Sequence, residues 1–161
     1  MDLRAATEND LPVINEICNY YVQTSPAIYQ LEPFTADERT AWFAQHDARH
    51  PILVAVEAEV VIGWASLSAY HVRAGYRFTV EDSVYVRHDC HGRGVGRALL
   101  DALLARAAEH GHHSVLGIID AAQAPSVALH ARAGFERVAH LRQVGFKFGE
   151  WRDVVFMQRM L

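Results

Sequence analysis

Three glycines, Gly92, Gly94 and Gly96, fall within five residues of the stretch HGRGVGR, which runs directly into a helical pattern beginning at Val95. Glycine loses more conformational freedom on folding than any other residue, so such a cluster implies that backbone must come close to something. The first N–H groups of a helix have no internal partner and carry the positive end of its dipole. Glycines allow a diphosphate to reach those groups, and Arg93 and Arg97 add local positive charge. A ligand-free turn is the alternative, but it would need one glycine and not three. Two other phosphate loops do not fit. A G-x-G-x-x-G fingerprint counted from Gly92 meets Arg97 at its third glycine, and counted from Gly94 it meets Leu99. A G-x-x-x-x-G-K-[ST] loop needs a Gly-Lys pair, and none follows here.

Two titratable residues stand near this loop in the chain order. Glu81 lies in the run TVEDSVYV, where Thr79, Glu81, Ser83 and Tyr85 share one face of a strand and Val80, Val84 and Val86 the other. A glutamate inside a strand is unfavourable unless it is exposed or used. Asp82 breaks the apolar alternation and marks an irregularity. His130, in LHARAGF, carries an imidazole that titrates near neutrality; packing on a helix face is its alternative role. His110, His112 and His113 sit at a helix end and in a turn, where they suit the dipole and lack the fixed geometry of a zinc site. No metal is expected. Cys90 borders the glycine loop, with only adjacent His91 as a partner to activate it.

The elements that must hold these residues follow from periodicity and caps. Residues 2–6 read as an edge strand, and Thr7 as the cap of a helix carrying Leu11, Ile14, Cys18 and Tyr21. Residues 25–34 contain two prolines and read as loop; Thr35 with Glu38 forms a capping box that opens a second helix. Residues 52–57 and 60–70 form a hairpin, and 76–86 another strand. A helix over 95–110 stops at Gly111, a buried strand covers 114–120, and a short helix over 125–133 ends at Gly134. Strands over 136–147 and 151–160 finish the order β-α-α-β-β-β-α-β-α-β-β. Hairpins joined to a β-loop-α-β crossover predict an α/β fold with a mixed sheet and helices on both faces.

Bulk properties narrow the class. At 161 residues, residues 1–161 are expected to form one domain, with apolar residues at 51% and charged residues at 21%. A net charge of −4 argues against nucleic acid, whose phosphates need a basic face. No apolar run approaches the ~20 residues that span a bilayer, and the first ten residues carry no apolar signal segment. The two cysteines make neither a disulfide framework nor a metal spacing, so a cytoplasmic protein is expected.

The stretch from His91 to Gly96 resembles the acyl-coenzyme A loop of the GNAT acetyltransferase superfamily, with pattern [Q/R]-x-x-G-x-[G/A]. His91 departs from the family's Gln or Arg. TVEDSVYV, APSVALHARAGF and VGFKFGEWRDVVFMQ extend the resemblance over nearly the whole chain, toward the phosphinothricin and methionine sulfoximine acetyltransferase branch. It implies a GNAT-like fold whose central strands splay to hold acetyl-CoA, and direct acetyl transfer to the α-amino group of a small amino acid or analogue. It further implies a homodimer, with Trp151 and Phe156 on a compatible C-terminal strand.

The resemblance also implies roles for residues. Glu81 matches the proposed base, and His130 stands where other members place an acid that serves the coenzyme sulfur. Backbone N–H groups of Val84, Tyr85 and Val86, freed by a β-bulge, would polarise the carbonyl. The coenzyme would lie against His91, Gly92, Arg93, Gly94, Val95, Gly96 and Arg97, with Gln123 (in place of the family's Asn) and Ser126 along its length. Arg73 matches a position beside the acceptor pocket and offers a fork for a carboxylate; with Tyr76 three residues later it favours a small anionic substrate, and Tyr29 and Phe146 are expected as walls of that pocket. Lys147 is expected to be solvated, with a contribution of charge to that pocket as the alternative. Acetylation of protein N-termini or polyamines is the neighbouring alternative. A non-catalytic acyl-CoA sensor is the other, suggested by His91 and Gln123.

Overall fold

The computed structural model describes all 161 residues. Its strands are Asp2–Ala5 (β1), Ile52–Glu57 (β2), Val60–Ala69 (β3), Thr79–Val86 (β4), Ser114–Asp120 (β5), Glu136–Lys147 (β6) and Glu150–Met160 (β7). Its α-helices are Leu11–Thr24 (α1), Ala36–Phe43 (α2), Val95–Glu109 (α3) and Ala124–Arg132 (α4). The strands make one sheet in the order β1-β2-β3-β4-β5-β7-β6. All neighbours are antiparallel except β4 and β5, whose parallel pairing requires the crossover through α3. This is the mixed α/β sheet and the element order read from the sequence. No helix is long and apolar enough to cross a membrane.

Each face of the sheet buries its own cluster. On one, Leu99, Leu100, Leu103, Leu104 and Ala107 form the apolar stripe of α3 and pack on Val80 and Val115. On the other, Leu11, Ile14, Ile17 and Cys18 of α1 pack on Val54 and Trp64. Residues of β4 therefore alternate between the two: Val80, Val84 and Val86 belong to the α3 side, and Tyr85 to the α1 side.

Several boundaries move for local reasons. Thr7 begins a 3-10 turn over Glu8–Asp10, its N–H donating to Asp10 Oδ2 at 2.7 Å, and the α-helix starts only at Leu11. The expected strand at 76–86 begins at Thr79, because Ala74–Tyr76 form a 3-10 turn. Ala58 and Glu59, with φ of 48° and 63°, make the two-residue hairpin turn between β2 and β3.

The expected β-bulge in β4 is absent. Its ladder with β3 runs without a shift from Gly63↔Val86 to Ala69↔Val80. The opening in the sheet arises on the other side: β4 pairs with β5 only through Thr79↔Ser114, Val80↔Val115 and Glu81↔Leu116. Beyond Glu81 the two strands part, because β5 continues its pairing with β7 through Asp120↔Val154.

Candidate active site

The gap between the parted strands is the mouth of a cleft of about 670 Å³, closed by the glycine loop, the first turn of α3 and one side of α4. Its lining along β4 follows from strand geometry. Arg87 N–H donates to Ile62 C=O at 2.9 Å and Tyr70 N–H to Thr79 C=O at 3.3 Å, so odd-numbered residues of β4 direct their backbone groups at β3. Val84 and Val86 then direct theirs into the gap, where no strand receives them. Tyr85 lines the cleft, yet its N–H is turned to β3. Two free donors, and not three, remain on this edge.

Gly92 and Gly94 adopt φ of 74° and 81°, a region in which side chains are strained, and neither would meet any atom within 4 Å if it carried a Cβ. Backbone conformation demands glycine there, and the space in front is open. The first helical bond of this turn is Ala98 N–H to Gly94 C=O at 3.0 Å, which leaves the N–H groups of Val95, Gly96 and Arg97 without helical partners at the cleft wall. The charges expected here are partly engaged elsewhere. Arg93 is paired with Glu57 at 2.5 Å and does not line the cleft. Arg97 lines it while bound to Asp101 at 2.6 Å and to the Arg132 carbonyl at 2.8 Å. His91 Nε2 lies 2.6 Å from the Tyr21 hydroxyl and 3.2 Å from the Val86 carbonyl, which also accepts from Tyr21 at 2.5 Å. Tyr21, in a helix stripe that reads as core, was not legible as a site residue.

Glu81 and Asp82 straddle the point where β4 leaves β5. Alternation sends the half-buried Glu81 toward α1 and Asp82 toward α4. Burial, with the charge of Asp82 added, raises the Glu81 pKa above its ordinary value. Asp82 meets His130: Oδ2 lies 2.9 Å from Nε2, while His130 Nδ1 lies 2.8 Å from the Ser126 carbonyl. Burial favours the neutral ring, but the hydrogen bond and charge of Asp82 outweigh it and raise the His130 pKa. The break in apolar alternation at Asp82 was the one sequence signal of this contact. Gln123 and Ser126 line the cleft at the start of α4.

The residues expected around the acceptor do not line this cleft. Arg73 and Tyr76 are exposed on the connection between β3 and β4, where the Tyr76 ring packs 5.0 Å from His71, and neither lines the cleft. Tyr29 donates to Asp120 Oδ2 at 2.7 Å, one contact behind the cleft wall. Phe146 is exposed and stacks edge-on with Trp151 at 5.0 Å. Lys147 is buried and not solvated: its ammonium donates to the carbonyls of Ser25 at 3.0 Å and Ile28 at 2.5 Å, and burial lowers its pKa.

The model of the acetyltransferase (GNAT) family matches residues 14–135. This chain belongs to the GNAT family. It is 44% identical over 161 residues to the L-methionine sulfoximine/L-methionine sulfone acetyltransferase of Pseudomonas paraeruginosa, an alignment covering 97% of this chain and 92% of that one. A GNAT superfamily phosphinothricin acetyltransferase from Sinorhizobium meliloti, solved in complex with acetyl-CoA, superposes with a TM-score of 0.96 at 38% identity, covering 99% of this chain and 88% of that one. A ribosomal-protein-alanine N-acetyltransferase from Brucella melitensis superposes at 0.97 and 38% identity over the full length of both.

The residues present in this GNAT chain suit an acyl-coenzyme A. The left-handed glycines open onto empty space, the unpartnered N–H groups of α3 fit a diphosphate, and the free amides of Val84 and Val86 offer strand-like donors to an extended amide chain.

Proposed function

We propose that this GNAT acetyltransferase moves the acetyl group of acetyl-CoA directly to the α-amino group of a small amino acid or analogue. The observation that carries this reading is the placement of Glu81 and of the Asp82–His130 pair on opposite faces of the one point where the sheet opens. When bound, acetyl-CoA supplies an activated acetyl carbon whose bond to sulfur breaks, with its electron pair on sulfur, as the amine nitrogen bonds to carbon. Glu81, on the α1 face, takes the proton of the ammonium; its raised pKa makes it a stronger base than a solvated carboxylate. His130, on the α4 face, gives a proton from Nε2 toward the sulfur side, and solvent restores both groups. The N–H groups of Val84 and Val86 orient and polarise the acyl chain, and the loop from His91 to Arg97 holds the diphosphate.

The similarity to the Pseudomonas and Sinorhizobium enzymes supports amino-acid analogues as acceptors. The Brucella neighbour favours a second reading, an N-terminal alanine of a protein. Thiol release from acetyl-CoA, measured side by side with methionine sulfone, methionine sulfoximine, phosphinothricin, ordinary amino acids and an alanine-terminated peptide, separates the two. Release with the peptide alone would overturn the small-molecule reading.

We further read the chain as a homodimer. The support is a row of exposed apolar side chains on the last hairpin, with Val144, Phe146, Phe148 and Trp151 each more than half exposed at 56%, 54%, 58% and 64%. Light scattering that returns the mass of one chain would remove that reading. The two unpaired, buried thiols of Cys18 and Cys90 suit a reducing compartment such as the cytoplasm.

A further inference from the structure

Asp82 and His130 are the one ion-pair geometry in the molecule with both side chains buried, at 1% and 5% exposure. Their hydrogen bonds constrain where protons sit. His130 Nδ1 faces the Ser126 carbonyl, an obligate acceptor, and therefore carries hydrogen. Nε2 faces Asp82 Oδ2, which in a carboxylate is also an acceptor. A neutral ring would turn a bare lone pair on Nε2 toward that oxygen. A proton must therefore lie between them, and in a buried site an imidazolium beside a carboxylate is the arrangement in which each charge compensates the other.

Two further features show that the place is built for this pair. A Cβ on Gly117 of β5 would stand 2.8 Å from His130 Cδ2 and 2.9 Å from Nε2, so the ring occupies room that only glycine leaves. Asp82 Oδ1 is buried without any hydrogen-bond partner, 3.3 Å from that same position, and Asp82 lines the cleft.

The geometry points to Asp82 as a positioning residue for the transfer: it keeps His130 protonated on both ring nitrogens and fixes the ring where β4 and β5 part. This inference rests on the acetyltransferase reading above and gives its proton donor a cause. Without Asp82 the buried ring would be neutral, with nothing on Nε2 to give. For the Nε2 proton to reach the sulfur, the bond to Asp82 Oδ2 must open; the sulfur then holds the proton, the ring is neutral, and its Nε2 lone pair takes the next proton from solvent, which closes the pair again. No competing charge faces the ring. Gly117 of β5 has no side chain, Phe135 ahead of β6 offers its ring at 5.0 Å, and Glu81 lies on the other face of β4. From α3, Arg97 is turned to the Arg132 carbonyl, and from β7, Arg159 to the Ala133 carbonyl.

The experiment is ¹⁵N spectroscopy of the histidine rings in the wild-type protein and in Asp82→Asn, together with the pH profile of kcat. Asparagine is nearly isosteric and can donate to Nε2, so it keeps the fold and the contact while locking the neutral Nδ1–H ring. The expected wild-type signal is a His130 ring protonated on both nitrogens at neutral pH. In Asp82→Asn, Nε2 becomes unprotonated, the basic limb of kcat moves to lower pH, and kcat falls on the order of 10²-fold, as for a lost acid, while acetyl-CoA binding and melting temperature hold. A neutral wild-type ring, or a variant whose ring state and pH profile do not move, overturns the inference. The wild-type spectrum needs neither a folded variant nor turnover. Absence of acetyl transfer with a doubly protonated ring would therefore overturn the functional reading alone, and a neutral ring in an active enzyme this inference alone.

Discussion

The Tyr29 phenol donates to Asp120 Oδ2 across 2.7 Å, tying the loop between α1 and α2 to the last residue of β5. Arg152 Nε donates to the same Oδ2 at 2.9 Å, and Oδ1 accepts from Arg152 Nη2 at 3.2 Å and from the Ala122 N–H at 2.9 Å, so the anchor is held at both oxygens. Ala27 of this loop lines the cleft on the face toward which Glu81 points. Tyr29→Phe should remove one neutral-to-charged hydrogen bond, worth about 1.5–3 kcal/mol at most, and let the loop drift. We expect KM for the acceptor amine to rise by about tenfold, the equivalent of ~1.4 kcal/mol, with acetyl-CoA affinity unchanged. Steady-state kinetics with both substrates varied would reject this if the acceptor KM stays put.

Lys147 reaches the same loop from β6. Its buried ammonium bonds the Ser25 and Ile28 carbonyls. Lys147→Met keeps the stem and removes the donor, leaving two part-buried carbonyls without the ammonium at a cost of about 1–3 kcal/mol. The melting temperature should drop accordingly. A variant as stable as wild type would mean that water replaces the ammonium.

Glu81→Gln tests the base. The substitution keeps size and polarity, so acetyl-CoA should bind as before while kcat falls by roughly 10²–10⁴-fold. The wild-type Glu81 pKa is raised by burial and by Asp82, so activity should decline as pH falls, with the midpoint above the value of a solvated glutamate. That acid limb should vanish in the variant. Unaltered turnover removes Glu81 from the reaction.

Much of this arrangement was legible in the chain because it rests on local physics. The capping box at Thr35 and Glu38 forms as read, with Glu38 Oε2 accepting from Thr35 N–H at 2.8 Å. The strand over Ser114–Asp120 and the glycine turn into α3 also stand where periodicity and helix-start chemistry put them. What escaped depends on contacts distant in sequence. Asp82 and His130 are 48 residues apart, so an aspartate that looked like a local irregularity is a pairing partner. Lys147 reads as a surface residue until carbonyls more than a hundred residues earlier come to meet it. The free edge of β4 was legible as a need for donors. Its origin was not, because how far a parallel pair stays together depends on β7 holding β5, and no local pattern encodes that. Arg73 and Tyr76 were placed by resemblance, and their exposed loop carries no local signal that would fix its position.

Gly94→Ala probes the coenzyme loop. At φ of 81° an added Cβ meets no neighbour, so the penalty is conformational and amounts to ~1–2 kcal/mol. Relaxing it would rotate the N–H groups at the start of α3 away from the cleft. Calorimetry should show acetyl-CoA bound about tenfold more weakly, the equivalent of ~1.4 kcal/mol, with the rest of the fold intact. Equal affinity would show that these amides do not hold the diphosphate.

Asp10 supplies a stability test away from the cleft. Bonds from Arg4 at 2.7 and 2.8 Å lower its pKa from 3.8 to about 2, against burial and with help from the Thr7 N–H and hydroxyl. A pKa below the unfolded value means that the unfolded chain binds more protons in this range, so the pair stabilises the fold above pH 3.8 and that contribution fades as pH falls toward about 2. At ~1.4 kcal/mol per unit it amounts to about 2 kcal/mol at neutral pH, an upper value because the Arg4 side chain is 47% exposed. Asp10→Asn should therefore lower stability to urea at neutral pH and flatten its decline in acid. Parallel pH dependences for the two proteins, with the same gap at every pH, would show that the carboxylate charge is not what holds Arg4 and the start of α1 together.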